Sequence, residues 1–403
     1  MNYYKNIIVN YVFTFVKNID MTNGIWMLYL ASKGLSLFEI GLLEGIFHVT
    51  SLLMETPTGA VADLFGRKAS RLVGVALAII SRVIMIFSGS FAMFAIAFVI
   101  TALSYNFESG AGDALVYDSL LAEKKECKYL KIAGKNEVIY QVTSILGLLA
   151  GGFAGSIKYE LVYYIAVGVG IAALAVGMFF KEPGGKKPRT ALLPALKKQY
   201  ADSINAIRGS GRLLYLIIFT GILSSSVTLS FYYLQIAWES GAMDAAGIGV
   251  YLAISSVAAA AGAFFAEKVE KRFGEGFILK ISPALITLSV FSMYFIDWAL
   301  APLCIISVLE TIVFVATRDY INRMIPSDKR ATILSFESML FSVVMIIIFP
   351  LFGLISDNIG IGSTFLLLGG VMLVMSVVNL KVVRSNGRKA LCKDQDESAE
   401  SIG

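Results

Sequence analysis

Asp20, Glu44, His48, Glu55, Glu108, Asp113 and Glu310 stand in long stretches of otherwise apolar residues. An ionisable group in such a stretch costs roughly 2.5–3.5 kcal/mol on membrane-insertion scales and by default marks a pathway. The chemistry open to these groups is proton exchange and the binding of cationic groups. Glu44, His48 and Glu55 follow one another at spacings of four and seven, so one helical face carries all three. Glu55 lies about eight residues, roughly 12 Å, before the end of its apolar stretch, deep enough for its carboxyl group to carry a driving proton. His48 is the only histidine in the chain, and imidazole titrates in the useful range. For each of these groups the plain alternative is a structural hydrogen bond or ion pair between helices. Lys17, three residues before Asp20, is such a partner. Arg82 is another, at a depth similar to that of Glu44 on the next stretch.

The stretch from Tyr105 to Asp118 holds Glu108 as its deepest acid and Asp113 closer to its end, and Gly110 and Gly112 permit bending there. Glu310 is the deep acid of the second half, while Glu337 is placed to assist a gate. Gln141 and Gln235 add polar contacts. Trp26, Tyr105, Tyr232, Tyr233 and Phe336 form either an aromatic cavity wall or a lipid-facing surface. The acid excess suits protons and cationic or zwitterionic cargo better than anions.

The elements that must position these groups are membrane helices. The chain has 403 residues, 57% hydrophobic and 16% charged, with mean hydropathy +0.74. A membrane helix needs about 20 mostly apolar residues. Twelve such spans read near 7–30, 39–62, 69–88, 91–118, 134–157, 160–180, 212–237, 246–266, 277–296, 298–320, 331–355 and 361–382. The first lacks a signal-peptide cleavage pattern and is expected to stay in the protein. Of the 34 Lys and Arg, 30 fall on one side of this arrangement, which puts both termini in the cytoplasm. The expected organisation is a six-helix bundle over 1–184, a cytoplasmic linker over 185–211, a second six-helix bundle over 212–384 and a disordered tail over 385–403. Within the linker, 192–208 reads alternatively as a short amphipathic surface helix.

Residues 55–68 read Glu-Thr-Pro-Thr-Gly-Ala-Val-Ala-Asp-Leu-Phe-Gly-Arg-Lys. Gly59, Asp63, Gly66, Arg67 and Lys68 together resemble the signature loop of the major facilitator superfamily, the large family of secondary transporters. The resemblance implies an all-α integral membrane fold of twelve helices in two bundles, working as a monomer by alternating access. It also implies that Asp63 meets the start of the eleventh span, after Ser327-Asp328-Lys329-Arg330-Ala331-Thr332, and holds the cytoplasmic side closed. Gly59 would let a neighbouring helix come close, and Asp118 is the partner in reach of Arg67. The plain alternative makes Arg67, Lys68 and Arg71 only topology-setting charges. Glu267, Lys268, Lys271, Arg272, Phe273 and Gly274 look like a degraded second copy of the loop. The Glu-x-Pro variant of the motif resembles the drug-exporting branch that contains the clostridial tetracycline exporter.

No phosphate-binding loop, nucleophile elbow or metal-ligand spacing is present in the sequence, so neither ATP-driven transport nor an enzyme is expected. Cys127, Cys304 and Cys392 have no redox or metal spacing and are expected to be free thiols. The positive net charge comes from loop asymmetry and does not point to nucleic acid. The expected partners are a small-molecule substrate and the lipid bilayer, with a proton gradient in place of any cofactor. The expected site is the bacterial cytoplasmic membrane. The leading expectation is proton-coupled efflux of a small lipophilic or cationic molecule. The alternatives are a proton-coupled or passive nutrient importer, which would show a more polar, symmetric cavity with sugar- or anion-binding side chains in both halves, and a transport-dead sensor.

Overall fold

The computed structural model describes residues 3–183, 210–325 and 330–400, and the regular elements among them are helical. The first half holds α1 (Lys5–Lys17), α2 (Trp26–Ser32), α3 (Leu37–Phe65), α4 (Arg67–Phe87), α5 (Phe91–Glu108), α6 (Ala111–Ala122), α7 (Tyr129–Ile157) and α8 (Tyr159–Met178). The second half holds α9 (Gly211–Ser240), α10 (Ala245–Gly276), α11 (Ser282–Ser292), α12 (Leu300–Met324), α13 (Arg330–Ile359) and α14 (Ile361–Glu400). Ten runs among the described residues are long and apolar enough to cross a membrane. One of them, Ala245–Ser292, contains two expected spans and breaks at Gly274. With α1 and α2 forming the first pass, the twelve-span plan is met. Exposed Phe15, Phe87, Phe153, Phe264, Leu288 and Val371 face outward, as a protein solvated by lipid requires.

Two passes are interrupted. The first unwinds between Lys17 and Trp26, over residues that include Asn18, Asp20, Asn23 and Gly24, which all favour turns over helix. The Asp20 carboxylate accepts from the Thr22 backbone N–H at 3.0 Å and its hydroxyl at 2.6 Å, replacing helical bonds. α7 makes room for this loop by omitting side chains. A Cβ on Gly151 would fall 2.1 Å from the Met21 carbonyl oxygen. Gly151→Val is therefore expected to expel the loop and prevent accumulation of folded protein, read as loss of the monodisperse peak in detergent. The fourth pass breaks at Gly110, whose φ of +72° suits only glycine without strain.

The end of the bundle away from the basic loops is closed by contacts between the halves. α3 and α13 run antiparallel in close contact there, with a Cβ on Gly41 only 2.5 Å from Pro350 Cα. α7 meets α10 where Gly152 and Gly249 face each other. Tyr159 at the start of α8 donates a hydrogen bond to Glu239 at the end of α9.

The expected linker, including its amphipathic stretch 192–208, lies largely outside the described residues. α14 is helical to Glu400, where the sequence predicts a disordered tail from 385. That stretch has no proline and several straight-chain helix formers.

Candidate functional site

Two adjoining chambers occupy the interior. One, of about 730 Å³, lies in the first half around the unwound segment and is lined by Lys17, Asp20, Asn23, Trp26, Arg82 and Tyr140 among others. The other, of about 590 Å³, lies between the halves and is lined by residues of α3, α5, α9, α12 and α13. Glu44, Phe47, Tyr105 and Tyr232 line both.

Four acids face the second chamber beside different partners. Glu44 lies 3.4 Å from His48 Nε2, one turn further along α3. His48 is buried, and its Nδ1 is 3.3 Å from the Ser342 hydroxyl of α13. Glu337 lies 3.8 Å from Arg318. Glu310 accepts a hydrogen bond from the Ser224 hydroxyl at 2.7 Å, which ties α12 to α9. Among the described residues neither Glu310 nor Glu55 has a cation in ion-pair range. Such acids can take up and release a proton without breaking a salt bridge. Ser51 and Asn106 exchange two hydrogen bonds of 2.8 Å across the α3–α5 wall.

Residues 11–336 match the profile of the Major Facilitator Superfamily. The chain belongs to that superfamily. It is accordingly a multi-pass membrane protein that moves a small molecule by alternating access, and not an enzyme. It is 23% identical over 380 residues to the uncharacterised MFS-type transporter YxaM of Bacillus subtilis, covering 90% of this chain and 92% of that one. It is 24% identical over 204 residues to the quinolone resistance protein NorA of Staphylococcus aureus, covering 50% of this chain and 51% of NorA. The fold matches the nucleoside transporter NupG with TM-score 0.74 and 12% identity, over 94% of this chain and 99% of NupG. It matches a D-xylose-proton symporter with TM-score 0.68 and 14% identity, over 94% and 97% of the two chains.

Within this facilitator, Asp20, His48, Glu55 and Glu310 line the chambers, while other expected positions are redistributed. Lys17 does not pair with Asp20, because the helix ends between them. Lys17 instead lies 3.5 Å from Glu108. Arg82 pairs with Asp20 at 3.5 Å, and not with Glu44. Glu108 lines neither chamber. Arg71 donates to its Oε1 at 3.1 and 2.9 Å and to Asn10 at 2.7 Å. The Arg71 guanidinium is also held between the rings of Phe13 and Phe180, at 4.4 and 4.7 Å from their centroids. Arg71, 3% exposed, is thus a core residue and no topology-setting surface charge. Asp113 is exposed on α6 and lines neither chamber, because the Gly110 break turns α6 relative to α5.

At the basic end Arg67 reaches Asp63 at 2.6 Å and the expected partner Asp118 at 3.8 Å. Glu182, which the sequence reading misses, accepts the backbone N–H groups of Arg67 and Lys68 at 2.8 Å each. It thereby caps the start of α4 next to Gly66, whose φ is +106°. The start of the eleventh span, which Asp63 is expected to meet after the stretch 327–332, lies partly outside the described residues, which omit 326–329. Gly59 meets no described atom within 4 Å of a built Cβ.

Trp26, Tyr105 and Tyr232 do form an aromatic wall, with Trp26 edge-on to Tyr232 at 5.3 Å and Tyr232 donating to Asn23 at 2.9 Å. Tyr233 is instead fully buried and donates to the Phe349 carbonyl. Phe336 packs against the core. Gln235 is buried and Gln141 bonds Glu137; neither faces a chamber. Arg318 was legible as a chamber residue, since it stands two turns after Glu310 on the same helical face.

Proposed function

We propose that this facilitator imports a small polar solute, cationic or zwitterionic, together with protons across a bacterial cytoplasmic membrane. The observation that carries the proposal is the lining of the second chamber. Ser51, Asn106 and Ser109 of the first half and Ser224, Thr228 and Thr311 of the second bring hydroxyl and amide groups from both sides. Those groups lose water when a cargo enters, and only a polar cargo replaces the lost bonds. The hydroxyl donors of Ser51, Ser224, Thr228 and Thr311 bond within the protein, and the acceptor lone pairs left over, with the second Asn106 side-chain N–H, are met by a polar cargo and not by a lipophilic one. Glu55, Glu310, Glu337 and Glu44 outnumber Arg318 around the same space, which disfavours anions.

The basic end would face the cytoplasm by the asymmetry of Lys and Arg, and the contacts between the halves at the other end then close the chambers to the outside in this state. Protonation of Glu310 or Glu55 removes a charge from the chamber. It thereby changes the balance between inward- and outward-open forms, to the extent that the two forms hold the charge differently.

Export is the second reading. The Glu55-Thr56-Pro57 variant of the loop and the partial likeness to NorA favour it. The two readings separate in liposomes carrying an internal pH dye and challenged with amines, amino acids, nucleosides and tetracyclines. Proton flow in the direction of a polar compound supports import. Proton flow opposite to a lipophilic compound establishes export and overturns the proposal.

A further inference from the structure

The last turns of α3 and α13 are written alike. α3 ends Gly59-Ala60-Val61-Ala62-Asp63-Leu64-Phe65-Gly66, and α13 ends Gly353-Leu354-Ile355-Ser356-Asp357-Asn358-Ile359-Gly360. Both read Gly, three residues, Asp, two residues, Gly. Both closing glycines have positive φ, +106° and +83°, so each helix stops at the same point after its aspartate.

The two copies differ in what they touch. At the closed end Asp357 accepts the Leu37 N–H at 3.1 Å and the Phe38 N–H at 2.9 Å, which are orphan donors in the first turn of α3. Gly353 supplies the clearance, since a Cβ there would lie 2.2 Å from the Leu37 carbonyl oxygen. A carboxylate on a helix N-terminus gains from both the donors and the dipole. The contact joins the halves of the protein. At the basic end Asp63 holds Arg67 of its own half, and Gly59 has no described neighbour within 4 Å of a built Cβ. Ser51 and Glu55 of α3 and Glu337 and Ser342 of α13 line the second chamber. Along the closed half the helices pair antiparallel, with Gly41 opposite Pro350 and Gly45 opposite Ile346. α13 begins, at Arg330, at the same end of the bundle as Asp63.

We propose that the Gly353–Asp357–Gly360 segment is a second latch, the counterpart of the Gly59–Asp63–Gly66 segment at the other end. The two latches act reciprocally. Each aspartate caps the partner helix in one state only, and breaking one contact frees the rocking motion that makes the other. Asp357 is therefore a positioning residue of the transport cycle.

The test uses the full chain with its three cysteines replaced by serine, in lipid nanodiscs, with spin-label pairs across each end. Ser90 with Ala301 reports the closed end, and Ala122 with Arg272 the basic end; all four sites are exposed. Asp357→Asn and Gly353→Val are each expected to raise the ratio of molecules with the closed end apart by about tenfold or more. The basic-end distance should shorten in step. Asp63→Asn is expected to lower that ratio instead. A label pair within one half must stay unchanged, and a variant that fails this control is replaced by Gly353→Ala. Unaltered distances in Asp357→Asn and in the glycine variant overturn the proposal. So does a shift of Asp357→Asn and Asp63→Asn in the same direction.

Discussion

In Glu310→Gln, uphill accumulation of the cargo is expected to vanish while exchange of internal for external cargo continues. Each pH unit is worth about 1.4 kcal/mol per proton, so a gradient of about two units can hold a cargo roughly 100-fold concentrated when one proton accompanies it. A glutamine at 310 still accepts the hydrogen bond from Ser224 but cannot change charge. The accumulation ratio should therefore fall to about one. Exchange needs only cargo binding and the rocking motion, neither of which requires the proton to leave. Parallel measurement of gradient-driven uptake and of counterflow separates the two steps. Glu55 lines the same chamber, so Glu55→Gln in the same assay shows whether it shares the task. Unchanged uphill transport in both variants would remove these acids from the coupling mechanism.

Arg71→Leu is expected to destabilise the first half by about 3–5 kcal/mol, the range for breaking a buried pair by removing one partner. The variant leaves the Glu108 carboxylate inside the protein with Lys17 at 3.5 Å as its remaining cation. It also leaves the Asn10 side-chain oxygen without its bond from Arg71. Thermal unfolding in detergent should show the loss. Arg71→Leu combined with Glu108→Leu should recover part of it, because neither of these two charges remains and Lys17, which loses its carboxylate, still borders the first chamber. A transport defect that persists in the stable double variant would give the pair a role in the cycle beyond packing.

The membrane architecture is legible in the sequence because hydropathy and the placement of Lys and Arg act over whole spans. One unwound turn does not disturb either signal. Residue pairing is far more local. Lys17 and Asp20 share a helical face only if the helix continues between them, and a stretch rich in asparagine, aspartate and glycine ends it at Lys17. That single break moves Lys17 onto Glu108, frees Asp20 for Arg82 and leaves Glu44 to His48. Arg71 misleads for a different reason. It follows Arg67 and Lys68 in a basic loop, yet stands one turn further into α4, where Phe13 and Phe180 enclose it. Glu55 and Glu310 were readable because depth alone selects them. Glu182 was not, because its role depends on the end of α8 returning to the start of α4. The polar character of the central chamber was hidden as well. Ser224, Thr228 and Thr311 also sit in helices where such residues routinely bond their own backbone.

The most direct measurement of the central claim follows cargo accumulation in liposomes under pH gradients of both signs. A symporter carries its cargo toward the alkaline side whichever way the protein is inserted, and an antiporter carries it toward the acidic side. The account predicts accumulation of a polar cargo in alkaline-interior liposomes, none in acid-interior ones, and collapse when a protonophore is added. Accumulation in acid-interior liposomes, or accumulation that survives the protonophore, would contradict it.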